Sequence, residues 1–102
     1  MNSIIENNKI FIENLCKKNK VEKLFIFGSV LTDKFDTKSD LDFIVSFENS
    51  LDLLDYADTY FNFLFSLEDL FKRKIDLITE KSLRNPYFKE EIENTKQLIY
   101  AA

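Results

Sequence analysis

The chain has 102 residues, a formal net charge of −4, one cysteine, one glycine, one proline and no histidine. That length fits one small domain with a modest core, and the acidic balance argues against a general nucleic-acid binder, which needs a basic face to displace counterions from phosphate. Imidazole ligands and bases are excluded outright, and the lone Cys16 rules out an internal disulfide and fits a reducing, cytosolic setting.

In chain order, Ile4, Ile5, Phe11, Ile12 and Leu15 recur at close to helical spacing and predict a helix over 3–18. The N-terminus lacks the apolar run of a signal peptide, and no stretch approaches the roughly 20 apolar residues of a membrane span. Val21 to Phe27 reads as a buried strand that stops at Gly28. Residues 30–38 predict a short helical turn and a loop. Leu41 to Phe47 is a second strand, with Asp40, Asp42 and Ile44 on one face and Leu41, Phe43 and Val45 on the other.

A long helix follows from about 51 to 72 with two apolar rows, one through Leu54, Ala57, Phe61 and Leu64, the other through Tyr56, Tyr60, Phe63 and Leu70. Either one row is kept for a partner, with Tyr60 and Phe63 exposed, or the helix covers both the sheet and the C-terminal helix. Eleven phenylalanines carry the same two readings, a partner surface or a Phe-rich core. Lys74 to Thr79 is a third strand carrying Asp76, and Asn85-Pro86 opens a last helix over roughly 86–99, where proline suits the first position. The order α-β-(turn)-β-α-β-α describes a single α/β (α+β) domain over residues 1–102, a small mixed sheet with flanking helices.

Three features carry chemistry. Gly28-Ser29 at a strand end lets a phosphate approach backbone N–H groups and the Ser29 hydroxyl, although Gly-Ser after a strand is usually only a turn. Asp40 and Asp42, at i and i+2 on a strand, share a face with Cα atoms roughly 6.6 Å apart, so both carboxylates can converge on divalent ions. With nine aspartates in the chain, about one such pair is expected by chance. Asp76 inside a third apolar strand adds weight, because a carboxylate buried there is expensive unless it is paired or ligates metal. The alternative is an edge position in water, or pairing with Lys74 or Arg73.

The segment Leu24-Phe25-Ile26-Phe27-Gly28-Ser29, ten residues, then Asp40-Leu41-Asp42, with Asp76 in Lys74-Ile75-Asp76-Leu77-Ile78-Thr79, resembles the signature of the DNA polymerase β nucleotidyltransferase superfamily. It is most similar to the minimal nucleotidyltransferase (MNT) domains. The resemblance implies that Gly28, Ser29 and Ser39 bind the nucleotide, and that Asp40, Asp42 and Asp76 are catalytic and hold two Mg2+ ions. The implied reaction transfers a nucleoside monophosphate, AMP from ATP, to an acceptor. MNT domains resemble the antitoxin half of a toxin–antitoxin pair whose other member is a helical HEPN protein, which some members silence by adenylylating it; the alternative for this chain is a catalytically weak or inactive MNT-fold antitoxin that acts only by binding its partner. The acceptor would come from that protein or from a second copy in a homo-oligomer. Family members often follow Gly-Ser with an Arg-containing stretch ending in glycine, where this chain has Val30-Leu31-Thr32-Asp33. That departure bears on nucleotide affinity more than on metal binding.

Overall fold

The structure, a computed structural model, describes residues 3–102. The helix expected over 3–18 is two pieces, α1 (Ser3–Glu6) and α2 (Lys9–Lys18). The Asn8 side-chain amide donates to the Ile4 carbonyl at 2.8 Å, the local competition with the backbone by which asparagine interrupts a helix. Ile5, Ile12 and Cys16 nevertheless share one buried face. Burial, then the charge of Glu13, pushes the Cys16 thiol up to about 12, which makes it an inert hydrophobe.

Strand β1 (Val21–Phe27) leads into a 3-10 turn (Gly28–Leu31), then a loop, then β2 (Leu41–Phe47). Helix α3 (Leu53–Phe71) starts where the Asp52 side chain accepts from Asp55 N at 2.9 Å, and ends at Lys72, which takes the left-handed conformation at φ 55°. Strand β3 (Ile75–Thr79) and helix α4 (Pro86–Thr95) follow, and Asn85 caps α4 by accepting from Tyr87 N and Phe88 N. A further strand, β4 (Gln97–Ala101), closes the order. The four strands form one mixed sheet ordered β3-β2-β1-β4, in which β2 and β3 run parallel and the other pairs antiparallel.

Strand β4 corrects the expectation of a helix to residue 99. Lys96 is extended at φ −62° and ψ 149°, and the run Leu98-Ile99-Tyr100 pairs with the outer edge of β1. Helical spacing and a short strand cannot be told apart over three apolar residues, and here an open sheet edge decides the matter.

Alternation along the strands separates two cores. Leu24, Ile26, Leu41, Phe43, Val45, Ile75 and Leu77 pack beneath α2 and α3. On the opposite face Phe27 and Ile44 pack against Ile92 of α4, with Phe25, Ile78 and Leu83 around them. Because α4 lies on that second face, α3 does not cover it. Only one apolar row of α3 reaches the sheet, made of Phe63, Leu67 and Phe71 with Tyr56, Tyr60, Leu64 and Leu70 beside them. Tyr60 donates its hydroxyl to the Leu77 carbonyl at 2.6 Å, pinning α3 to β3. Tyr60 and Phe63 are therefore not the exposed face, as one reading of the sequence had it; Phe63 is 0% exposed. The row left in water holds Leu53, Leu54, Phe61 and Phe65.

This division predicts opposite outcomes for two phenylalanines one turn apart or less. Phe63→Ala removes a fully buried ring and costs about 3–5 kcal/mol of unfolding free energy. Phe61→Ala, on the exposed row, stays within about 0.5 kcal/mol. Urea denaturation followed by circular dichroism separates the two, and equal midpoints would contradict the assignment of the faces.

Candidate active site

Three local rules bring the sequence-predicted residues to one end of the sheet. The parallel register of β2 and β3 sets Asp42 opposite Asp76, so both side chains leave the same face. Antiparallel pairing sets Phe27 opposite Asp42, which places Gly28, the next residue, beside that carboxylate. Gly28 has φ +82°, a conformation that residues with a Cβ rarely adopt, and a Cβ there would run into Asp42 Oδ2 and lie 3.2 Å from its Cγ. The only glycine in the chain thus serves both the turn and the room for Asp42. Ser29 follows, half-buried in the 3-10 turn, and its carbonyl accepts from Thr32 N and from Thr32 Oγ1.

Burial first, then the charges of Asp76 and Asp40, pushes the Asp42 carboxyl from its ordinary 3.8 up to about 6. Asp76 is exposed on the edge strand. The sequence argument that a mid-strand carboxylate would carry a burial cost does not hold for it, since an edge position leaves its face open to water. Neither suggested cation pairs with it. Lys74 Nζ instead lies 3.9 Å from Asp40 Oδ2, with both side chains well exposed. Arg73 donates from Nη1 to the carbonyls of Asp36 (3.1 Å) and Ser39 (2.9 Å), and sits 4.8 Å from the Phe35 ring centroid.

Arg73 is a residue the sequence reading underused: it fastens the loop that delivers Asp40. The loop is tightened from inside as well. The Asp36 carboxylate accepts from Lys38 N at 2.8 Å and from the Ser39 hydroxyl at 3.2 Å, which together hold its pKa below the usual range. Ser39, expected to bind nucleotide, thus has its hydroxyl engaged with Asp36. In the stretch that departs from the family pattern, Val30 is buried in the main core and Leu31 packs against it, so these positions serve packing.

Asp40, Asp42 and Asp76 offer an all-oxygen donor set, the kind magnesium takes. Among the described residues no three acidic or cysteine side chains stand arranged to chelate one ion. The pair holding Asp40 toward Lys74 is a long, exposed one, worth little, so turning Asp40 inward costs little. The residues therefore fit a divalent cation by chemistry and by face. Beside them, between the end of β1 and α4, opens a cleft of about 590 Å³ whose wall includes Gly28 and Phe27.

The raised Asp42 carboxyl has a consequence for stability. The folded chain binds this proton more tightly than the unfolded chain, so the resulting stabilisation is complete below about pH 3.8 and is lost as pH rises through about 6. Asp42→Asn, which removes the charge and keeps the shape, is expected to raise Tm by a few degrees at pH 7.5, solvent screening keeping the gain small. The gain disappears near pH 4. Differential scanning calorimetry across that range checks it, and a gain independent of pH would contradict the electrostatic account.

Comparison with known proteins agrees with this arrangement. The chain is 36% identical over 88 residues to "Putative protein adenylyltransferase MJ0126" of Methanocaldococcus jannaschii, covering 86% of this chain and 84% of that protein. A solved structure of a "putative minimal nucleotidyltransferase" superposes with a TM-score of 0.72 at 26% identity, over 95% of both chains. A chain from the complex of the tri-AMPylated Shewanella oneidensis HEPN toxin with MNT antitoxin has a TM-score of 0.59 at 17% identity, over 95% of this chain and 72% of that one, a likeness of fold alone. A family model described as "Polymerase beta, Nucleotidyltransferase" matches residues 9–102. The sheet that sets Asp42 beside Asp76 and Gly28 is the sheet of that family, and the chain belongs to the polymerase beta nucleotidyltransferases.

Proposed function

We propose that this nucleotidyltransferase moves AMP from ATP to a hydroxyl of a helical HEPN-type protein, and thereby acts as an antitoxin. The observation that carries the reading is the juxtaposition of Asp42 and Asp76 on parallel strands with Gly28 making room beside them. The relatives support it, one named for protein adenylylation and one solved beside an AMPylated HEPN toxin.

In this reading Asp40, Asp42 and Asp76 hold Mg2+, which supplies positive charge against the triphosphate. Gly28 and Ser29 receive phosphate oxygens at the end of β1. Asp76, exposed at the edge, is free to accept the proton of the incoming hydroxyl. The hydroxyl oxygen bonds to the α-phosphorus, the bond from that phosphorus to the bridging oxygen breaks in line, and pyrophosphate leaves with the electron pair. The raised Asp42 carboxyl means that protonation below about pH 6 removes one of the carboxylate charges that would hold the metal, so activity falls on that side.

A second reading is a member that silences its partner by binding alone. The stretch Val30-Leu31-Thr32-Asp33, which has neither the arginine nor the glycine common in the family and gives Val30 and Leu31 to the core, favours it. Incubating the chain and its HEPN-type partner with ATP labelled at the α-phosphate and magnesium decides between them. The enzymatic reading expects label on the partner, falling roughly a hundredfold or more in Asp40→Ala/Asp42→Ala. No label, with neutralisation intact in that double variant, establishes the binding reading instead.

A further inference from the structure

The cleft beside Gly28 has no part in the chemistry so far, yet it adjoins the site. Its volume, about 590 Å³, lies within the roughly 300–1,000 Å³ of small-molecule pockets. Its walls are apolar: Phe27 and Leu31 on one side, Ile92 and Phe88 of α4 on the other. The rings of Phe27 and Phe88 meet edge to face with centroids 6.3 Å apart, and Phe88 remains 41% exposed, so part of its ring is open to a ligand. Glu91, Thr95 and Gln97 line the same cleft.

Those polar groups are mostly acceptors. Thr95 Oγ1 already donates to the Glu91 carbonyl at 2.9 Å, which leaves its lone pairs for a ligand. Gln97 can present either end of its amide, whereas the Glu91 carboxylate can only accept. An apolar cleft with an acceptor rim suits a heteroaromatic ring that carries an exocyclic amino group. A bare phosphate or a carboxylate would be repelled there.

We infer that this cleft between β1 and α4 is the nucleobase pocket, with Phe88 as the ring contact and Glu91 as the acceptor that selects an amino-bearing base, adenine before hypoxanthine. The inference rests on the nucleotidyltransferase reading and adds to it the end of the nucleotide that the carboxylates do not touch. The phosphate-holding turn is reached through Gly28, which lines the cleft and adjoins Asp42. Base and triphosphate would then be read by different residues of one continuous surface.

The test separates the two halves by calorimetric titration of the whole chain, with magnesium present, against ATP, ITP and inorganic tripolyphosphate. The wild type is expected to bind ATP about tenfold more tightly than ITP, the size of loss when a polar partner is left unpaired. Glu91→Ala should erase that preference. Thr95→Trp, at an exposed position on α4, should fill the slot and weaken ATP by about tenfold or more while leaving tripolyphosphate within about twofold. Phe88→Ala should act in the same direction, so the result does not hang on one variant. Unchanged ATP binding in variants that melt at the wild-type temperature overturns the pocket assignment, as does equal weakening of ATP and tripolyphosphate. Loss of AMP transfer with ATP binding intact also overturns it, pointing to an acceptor slot instead. A wild type that binds neither ATP nor tripolyphosphate overturns the nucleotidyltransferase reading itself, and the pocket with it.

Discussion

Two carboxylates lie side by side because β2 and β3 run parallel with Asp42 opposite Asp76. Left alone, that pairing is unfavourable: burial first, and then repulsion from Asp76 and Asp40, raises the pKa of the half-buried Asp42. The rest of this end of the molecule is arranged to permit it. Gly28 has no side chain where one would strike Asp42. Asp76 stands on an edge strand, where water screens it. Among the described residues no salt bridge ties a cation to either carboxylate, and Lys74 lies toward Asp40 instead.

A site of concentrated negative charge needs a rigid frame, since side chains that could swing apart would relieve the repulsion by moving. Phe43 beneath Asp42 is fully buried, and Leu41, Val45, Ile75 and Leu77 fix both strands from below. Arg73, just past α3, clasps the carbonyls of Asp36 and Ser39 and so couples the end of that helix to the loop entering β2. The α3 packing, the loop and the carboxylate spacing are therefore one mechanical unit. The sheet face bearing the carboxylates is shared with α4, which is why the apolar cleft and the charged end adjoin.

The distribution of apolar surface follows from the same layering. A sheet covered by α2 and α3 on one face and α4 on the other uses one row of α3 only. Leu53, Leu54, Phe61 and Phe65 are left in water, as are Ile10 and Phe11 of α2. The phenylalanine surplus divides accordingly: Phe27, Phe43, Phe47, Phe63 and Phe71 fill the cores, while Phe11, Phe61 and Phe65 stay exposed.

By itself the sequence determined the first three strands, the long helix, the proline start of α4 and the motif of Gly28, Asp40, Asp42 and Asp76, because period-two alternation, a lone glycine and a cap are local signals. It also carried the family, since the spacing of those residues is a chain property. What it could not decide were matters of what packs on what. Whether Leu98-Ile99-Tyr100 becomes helix or strand depends on the open edge of β1, which lies far back in the chain, Leu98 pairing with Phe25. Which row of α3 is buried depends on where α4 crosses the sheet, and whether Asp76 is costly depends on its strand standing at an edge. Those are long-range contacts, and only the tertiary structure supplies them, because burial is a property of the neighbours a residue acquires and not of the residue itself.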